Sequence, residues 1–195
     1  MKLPLLAGAL CFCVSVTHAQ QCPPPQSFLG HTMQEARTLM DKNFPGKWSN
    51  NGPLCSGNYF NLMTEVAGEN AAPICGTPQF PVQRLILAGF DDASQVMGAL
   101  YDLSGAVDLD ALPAQIALAL KVELKPAQRS PSGLLNRSLG KTITTARNFL
   151  STDGRYFVIV GQSLAPGNVM VHVYDLLAVA ADQAPLETCT KEFGR

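Results

Sequence analysis

The stretch TITTARNFLSTDGRYFVIVGQSLAPGNVMVHVYDLL, Thr142 to Leu177, decides the fold class of this chain. Thr142 to Leu150 leads into Ser151-Thr152-Asp153-Gly154, a hairpin turn signal. Arg155 to Leu164 then carries Tyr156-Phe157-Val158-Ile159-Val160 without a break, and β-branched and aromatic side chains suit a pleated, buried surface. Ala165-Pro166-Gly167-Asn168 turns the chain, and Val169 to Leu177 returns it. Strands joined by turns this short can only pair antiparallel, so the tail reads as a β-meander.

Working back from the tail, Val82 to Phe90 reads as a buried strand, with Gln95 to Leu103 its hairpin partner across Asp91-Asp92. Tyr59 to Val66 alternates as a strand does. Two segments carry helical periodicity. Thr32-Met33-Gln34-Glu35 matches a capping box, and Met33, Ala36, Met40 and Phe44 follow on one face until Pro45-Gly46. Leu109, Leu112, Ile116 and Leu120 recur at the same spacing, with Pro113 tolerable only in the first turn. Residues 46–58 and 126–140 read as loops. About two helices and six strands with few βαβ alternations predict an α+β domain with a mostly antiparallel sheet.

Residues 1–19 read as a secretory signal peptide: Lys2, an apolar run from Leu3 to Val16, and a small residue at Ala19. The run is about fourteen residues, short of the ~20 needed to span a bilayer. No later apolar stretch exceeds strand length, so no membrane span is expected after cleavage. Residues 20–195 form one domain of ordinary size. The expected location is the periplasm, or otherwise the extracellular space.

Export gives the cysteines a purpose. Cys22, Cys55, Cys75 and Cys189 remain after cleavage, and an oxidising compartment predicts two disulfides. Three pairings are possible, and sequence does not choose among them. Cys55–Cys75 with Cys22–Cys189 is the preferred expectation, because the second bond would close nearly the whole chain, a gain of roughly 4–5 kcal/mol in the simple loop model. The cysteine spacings and the scarcity of histidine argue against a metal site, and no cofactor motif is present.

Catalytic motifs fare poorly. Gly161-Gln162-Ser163-Leu164-Ala165 has the form of a nucleophile elbow, but Pro166-Gly167-Asn168 follows where a helix is required. Asp108-Leu109-Asp110 opens like a calcium loop, yet Leu112, Pro113 and Ala119 occupy its remaining key places. Asp110 as a helix cap and Asp91-Asp92 as turn residues are the simpler roles. Asn136-Arg137-Ser138 is a glycosylation sequon, with meaning only in a eukaryotic secretory pathway. Gly98-Ala99-Leu100-Tyr101-Asp102-Leu103-Ser104-Gly105 resembles a hairpin segment in the dimerisation domain of periplasmic disulfide isomerases. That resemblance covers under a dozen residues and implies a hairpin alone, since no C-x-x-C accompanies it.

Charge is unevenly distributed. Lys121, Lys125, Arg129, Arg137, Lys141 and Arg147 face only Glu123 within residues 121–147, on a chain that is otherwise acidic. Such a block can steer an anionic partner. It lacks interleaved aromatics, which argues against single-stranded nucleic acid. Trp48, in a Gly/Asn/Pro-rich segment, together with Lys125, Arg129, Arg137, Lys141 and Arg147, make up the candidate binding residues. The expected function is a non-catalytic binding protein of the bacterial envelope, possessing another protein as partner, of the kind that immunity-type inhibitors exemplify. Two alternatives stand beside it: a small secreted hydrolase using carboxylates among Asp91, Asp92, Asp102, Asp108 and Asp110, and a structural subunit of a secretion or surface apparatus.

Overall fold

The computed structural model describes residues 25–65, 82–103, 107–128, 143–163 and 168–193. Among them, eight strands form one open antiparallel sheet: β1 (Trp48–Asn51), β2 (Phe60–Glu65), β3 (Val82–Gly89), β4 (Gly98–Leu103), β5 (Leu124–Ala127), β6 (Ile143–Ser151), β7 (Tyr156–Ser163) and β8 (Val169–Asp175). Their spatial order is β1-β2-β3-β4-β8-β7-β6-β5. Four α-helices accompany them: α1 (Met33–Asn43), α2 (Leu112–Leu120), α3 (Leu176–Ala181) and α4 (Gln183–Phe193). The predicted α+β class with an antiparallel sheet is therefore observed, as is the C-terminal meander β6-β7-β8.

The chain order divides into two similar halves. Each runs helix, four-residue edge strand, then three longer strands: α1-β1-β2-β3-β4 and α2-β5-β6-β7-β8. Each half is a four-stranded meander, and the two join where β4 pairs with β8. The sequence carries no visible repeat, so the likeness lies in the backbone arrangement alone.

Side chains alternate across the sheet and fill two cores. The first face packs Leu85, Leu87, Tyr101, Val158, Val160, Val171 and Val173 against α1 and α2. The second packs Ala88, Leu100, Phe157, Ile159, Met170 and Tyr174 against α3 and α4, through Ala178, Val179 and Leu186. β4 and β8 are buried at every position.

Local chemistry explains the helices. The predicted capping box is present: Glu35 N–H donates to Thr32 Oγ1 at 3.2 Å, and Thr32 N–H to Glu35 Oε2 at 2.8 Å. The next free donors at that helix end find the β3–β4 turn, where Met33 N–H reaches Ser94 O at 2.8 Å and Gln34 N–H reaches Asp92 O at 3.1 Å. Met33, Ala36, Met40 and Phe44 are all buried, as their spacing predicts. Met33 enters the space above Gly89, where a Cβ would collide with its thioether. In α2, Pro113 sits in the first turn, and Lys121 takes a left-handed conformation (φ 55°) that turns the chain into β5.

Three expectations need correction. Two of the four helices lie where only a strand and tail were read. Asp175 is the reason: its carboxylate accepts Leu177 N–H at 3.0 Å and so starts α3 directly at the end of β8. The loop readings of 46–58 and 126–140 missed β1 and part of β5, edge strands of four residues each: β1 is polar after Trp48, and β5 contains Pro126, which reads against a strand. The described disulfide is Cys55–Cys189, with Cα atoms 5.4 Å apart, in place of the preferred pairing. α3 and α4 double back over the second face and bring Cys189 to the β1–β2 loop, a proximity no spacing argument contains. Cys22 and Cys75 lie outside the described residues, as do the predicted signal peptide, the sequon and the Ala165–Gly167 part of the predicted turn.

Gly98 marks the tightest point of the central pair. A Cβ there would lie 2.9 Å from Tyr174 Cδ1 and 3.0 Å from Cε1. The substitution Gly98→Ala is expected to destabilise the protein by about 1–3 kcal/mol, measured by urea unfolding. Asp175→Ala removes a helix cap and a buried ion-pair partner together, and thermal melting is expected to show a loss of about 2 kcal/mol.

Candidate functional site

Among the described residues, three buried polar side chains, Ser151, His172 and Asp175, lie in or close to the end of β8. Asp175 is buried, and one of its oxygens accepts from Arg155 Nε at 3.1 Å and Nη2 at 2.9 Å while the other caps α3. Arg155 also lies over the Tyr156 ring, 5.1 Å from its centroid, and its Nη2 packs against Gly30. The preceding turn orients it: Ser151 Oγ accepts Tyr156 N–H at 2.8 Å, and Asp153 Oδ1 accepts Arg155 N–H at 3.0 Å. Hydrogen bonds from the Ser151 hydroxyl and the Arg155 amide hold the Asp153 carboxyl below its ordinary range. This arrangement fixes a strand end and a helix start, and sequence reasoning missed it. The available signal was an Asp placed immediately before Leu176-Leu177-Ala178-Val179-Ala180-Ala181, an N-cap ahead of a helix-forming run.

His172 stands three residues before Asp175, inside β8 as the strand reading predicts, and on its second face. Its neighbours across the ladder are Leu100 and Ile159. Its Nδ1 shares a hydrogen bond with Tyr174 Oη at 3.1 Å, and the two rings meet edge to face. Nε2 is buried and has no hydrogen-bond partner among the described residues. Burial pushes the imidazole pKa down to about 4 and holds the Tyr174 phenol well above its ordinary value. His31 is exposed, with its Nδ1 3.3 Å from the Glu35 carboxylate.

The predicted binding residues are dispersed. Trp48 opens β1 at one edge of the sheet, its indole N–H held by Asp41 Oδ1 at 2.8 Å. Lys125 lies on β5 at the other edge. Seven strand spacings of ~4.8 Å separate those edges, more than 30 Å in all. Arg147, on β6, pairs across the ladder with Val160 and so faces the first core side, where it joins Asp110 in an ion pair. Lys125 pairs with Leu150 and faces the second side. The structure thus separates Trp48, Lys125 and Arg147. Arg129, Arg137 and Lys141 lie outside the described residues. Beside Arg147 a small cavity of about 110 Å³ is lined by Leu109, Thr145, Val160 and Gln162.

The five carboxylates considered for catalysis all make structural contacts. Asp91 Oδ1 accepts Ala93 and Ser94 N–H at 3.0 and 2.9 Å, the predicted turn role. Asp92 pairs with Arg37 at 2.9 Å, and Asp102 with Arg84 at 2.6 Å. Asp108, in place of Asp110, is the carboxylate that receives the backbone ahead of α2, accepting Asp110 N–H at 2.9 Å. Asp110 is instead drawn outward by Arg147. Ser163 ends β7, and β8 begins at Val169 antiparallel to it, too close for the crossover helix of a nucleophile elbow. No group of three or more metal-ligating side chains occurs among the described residues, and no described helix is long and apolar enough to cross a membrane.

No family model, curated protein or solved structure matches this chain.

The buried imidazole sets a pH dependence. At neutral pH His172 is uncharged in the folded chain and mostly uncharged in the unfolded one. As pH falls from 6.5 towards about 4, the unfolded chain takes up a proton that the folded one refuses, so stability drops across that window. The wild type is expected to lose on the order of 3 kcal/mol more than His172→Gln between pH 7 and pH 4, read from urea midpoints in a pH series. Parallel pH profiles for the two proteins would refute this.

Proposed function

We propose that this chain is exported to the periplasm and acts there by binding another protein of the bacterial envelope, in the manner of an immunity-type inhibitor. The leader-like pattern from Lys2 to Ala19 supports export. The Cys55–Cys189 bond suits an oxidising compartment.

The observation that carries the binding reading is the unequal protection of the two sheet edges. Natural sheets guard an open edge with lysine or proline, because unpaired backbone groups there invite a further strand. β5 carries both, in Lys125 and Pro126. β1 reads Trp48-Ser49-Asn50-Asn51, with neither charge nor proline, and its last three residues are exposed. An extended segment of a partner can therefore add to β1 through main-chain hydrogen bonds. Trp48 stands at the start of that edge with its indole already oriented by Asp41. Lys125 and Arg147 point to opposite faces, so the basic block contributes long-range attraction to an acidic partner rather than one docking patch.

The test compares two forms of the protein. Tagged wild type is expected to recover a stoichiometric partner from the source envelope, and Asn50→Lys, a charge on an exposed edge position, is expected to recover about tenfold less at an unchanged melting temperature. Equal recovery by the two forms, or no stoichiometric partner across several salt and detergent conditions, would sink the proposal.

A further inference from the structure

The last described helix is held down mainly at one point. Among the described side chains of α4, only Leu186 and Cys189 are buried. A helix of this length is marginal on its own in water, so its position depends on what anchors it. The junction with α3 opposes docking: Asp182 Oδ2 is buried without a hydrogen-bond partner among the described residues. Burial, and then the nearby Asp91, raise the Asp182 carboxyl pKa, the mark of a carboxylate in an unfavourable place.

Against that stands a compact clasp from the β1–β2 loop. Cys55 is bonded to Cys189. Ser56 N–H donates to Glu192 Oε2 at 2.9 Å, and its hydroxyl donates to the same carboxylate. Gly57 lies so close to α4 that a Cβ would sit 3.0 Å from Pro185 O and 3.1 Å from Cys189 Sγ. Cys189 is buried, whereas Cys55 is partly exposed within a loop that is mostly open to solvent. The second-face cluster that includes Tyr59, Phe90, Phe157 and Tyr174 counts Leu186 and Cys189 of α4 among its members.

We propose that Cys55–Cys189 is a redox-operated clasp, whose reduction by a dithiol frees α4 and uncovers the apolar second-face cluster while the sheet and first-face core stay folded. A thiolate of the reductant attacks the Cys55–Cys189 bond, forming a mixed disulfide with one cysteine and releasing the other. The reductant's second thiol then displaces the remaining cysteine. Two electrons and two protons pass to Cys55 and Cys189, which end as thiols, and the reductant ends as its own disulfide. This inference does not depend on the edge-strand reading: the clasp joins the β1–β2 loop to α4, and its test reads the exchange of α4 with no protein partner present.

Hydrogen exchange on the whole mature protein, before and after dithiothreitol in native buffer, tests the clasp. Amides of 184–193 are expected to exchange about tenfold faster or more after reduction. Those of β7 and β8 are expected to stay as protected as before, and reoxidation is expected to restore α4. The double variant Cys55→Ser, Cys189→Ser is expected to match the reduced protein. Unchanged exchange in α4 would overturn the proposal. So would loss of protection in β7 and β8 together with α4, which would make the bond a staple of the whole fold. A bond that resists the dithiol in the folded protein, or a double variant that does not fold, counts against it equally.

Discussion

The pairing of β4 with β8 is the contact on which the rest of this structure depends. It is the seam between two four-stranded meanders, each of which would otherwise end in an open edge. Every residue of both strands is buried, so the seam carries side chains into both cores at once. Burying a large apolar side chain contributes about 1.5–3 kcal/mol, and the seam places such residues on each face. Gly98 makes the close approach possible, because the Tyr174 ring occupies the space a side chain would need.

The same seam sets the position of the polar groups. Tyr174, laid across Gly98, reaches back to His172 and gives one imidazole nitrogen its hydrogen bond. Asp175 leaves the strand at the next residue, pairs with Arg155 and begins α3. Asp175 N–H in turn donates to Met97 O at 2.9 Å, tying this strand end to the residue just before β4. A buried imidazole, an aromatic ring laid over Gly98 of β4 and a capping carboxylate thus fall within the last four residues of β8. From there α3 and α4 return over the second face to the β1–β2 loop, where Cys189 finds Cys55.

Much of the fold was legible, and the legible parts share a cause. The capping box at Thr32 to Glu35, the α1 stripe of Met33, Ala36, Met40 and Phe44, and the turn at Ser151 to Gly154 are all local patterns. Their chemistry is complete within a few residues, and the structure reproduces it. The parts that were missed depend on distant neighbours. β1 has three exposed polar residues, and only its ladder with β2 makes it a strand. Lys121 turns left-handed because α2 must end there to feed β5. The Cys55–Cys189 bond spans 134 residues, and nothing in that spacing distinguishes it from the pairing preferred on loop length. The candidate site was legible only as a list: Trp48, Lys125 and Arg147 look like one set in sequence and occupy two edges and two faces in space.

By itself, the sequence determined the α+β class, the antiparallel tail and the helix α1 with its cap. Each of these is written in periodicity, turn chemistry or composition, which are short-range properties. Only the tertiary structure decided that two meanders share one sheet, that the C-terminal helices close over its second face, which cysteine meets Cys55, and that β1 and β5 are the outer strands among those described. Those outcomes follow from which buried surfaces find each other across the whole chain, and a linear order of residues does not state that.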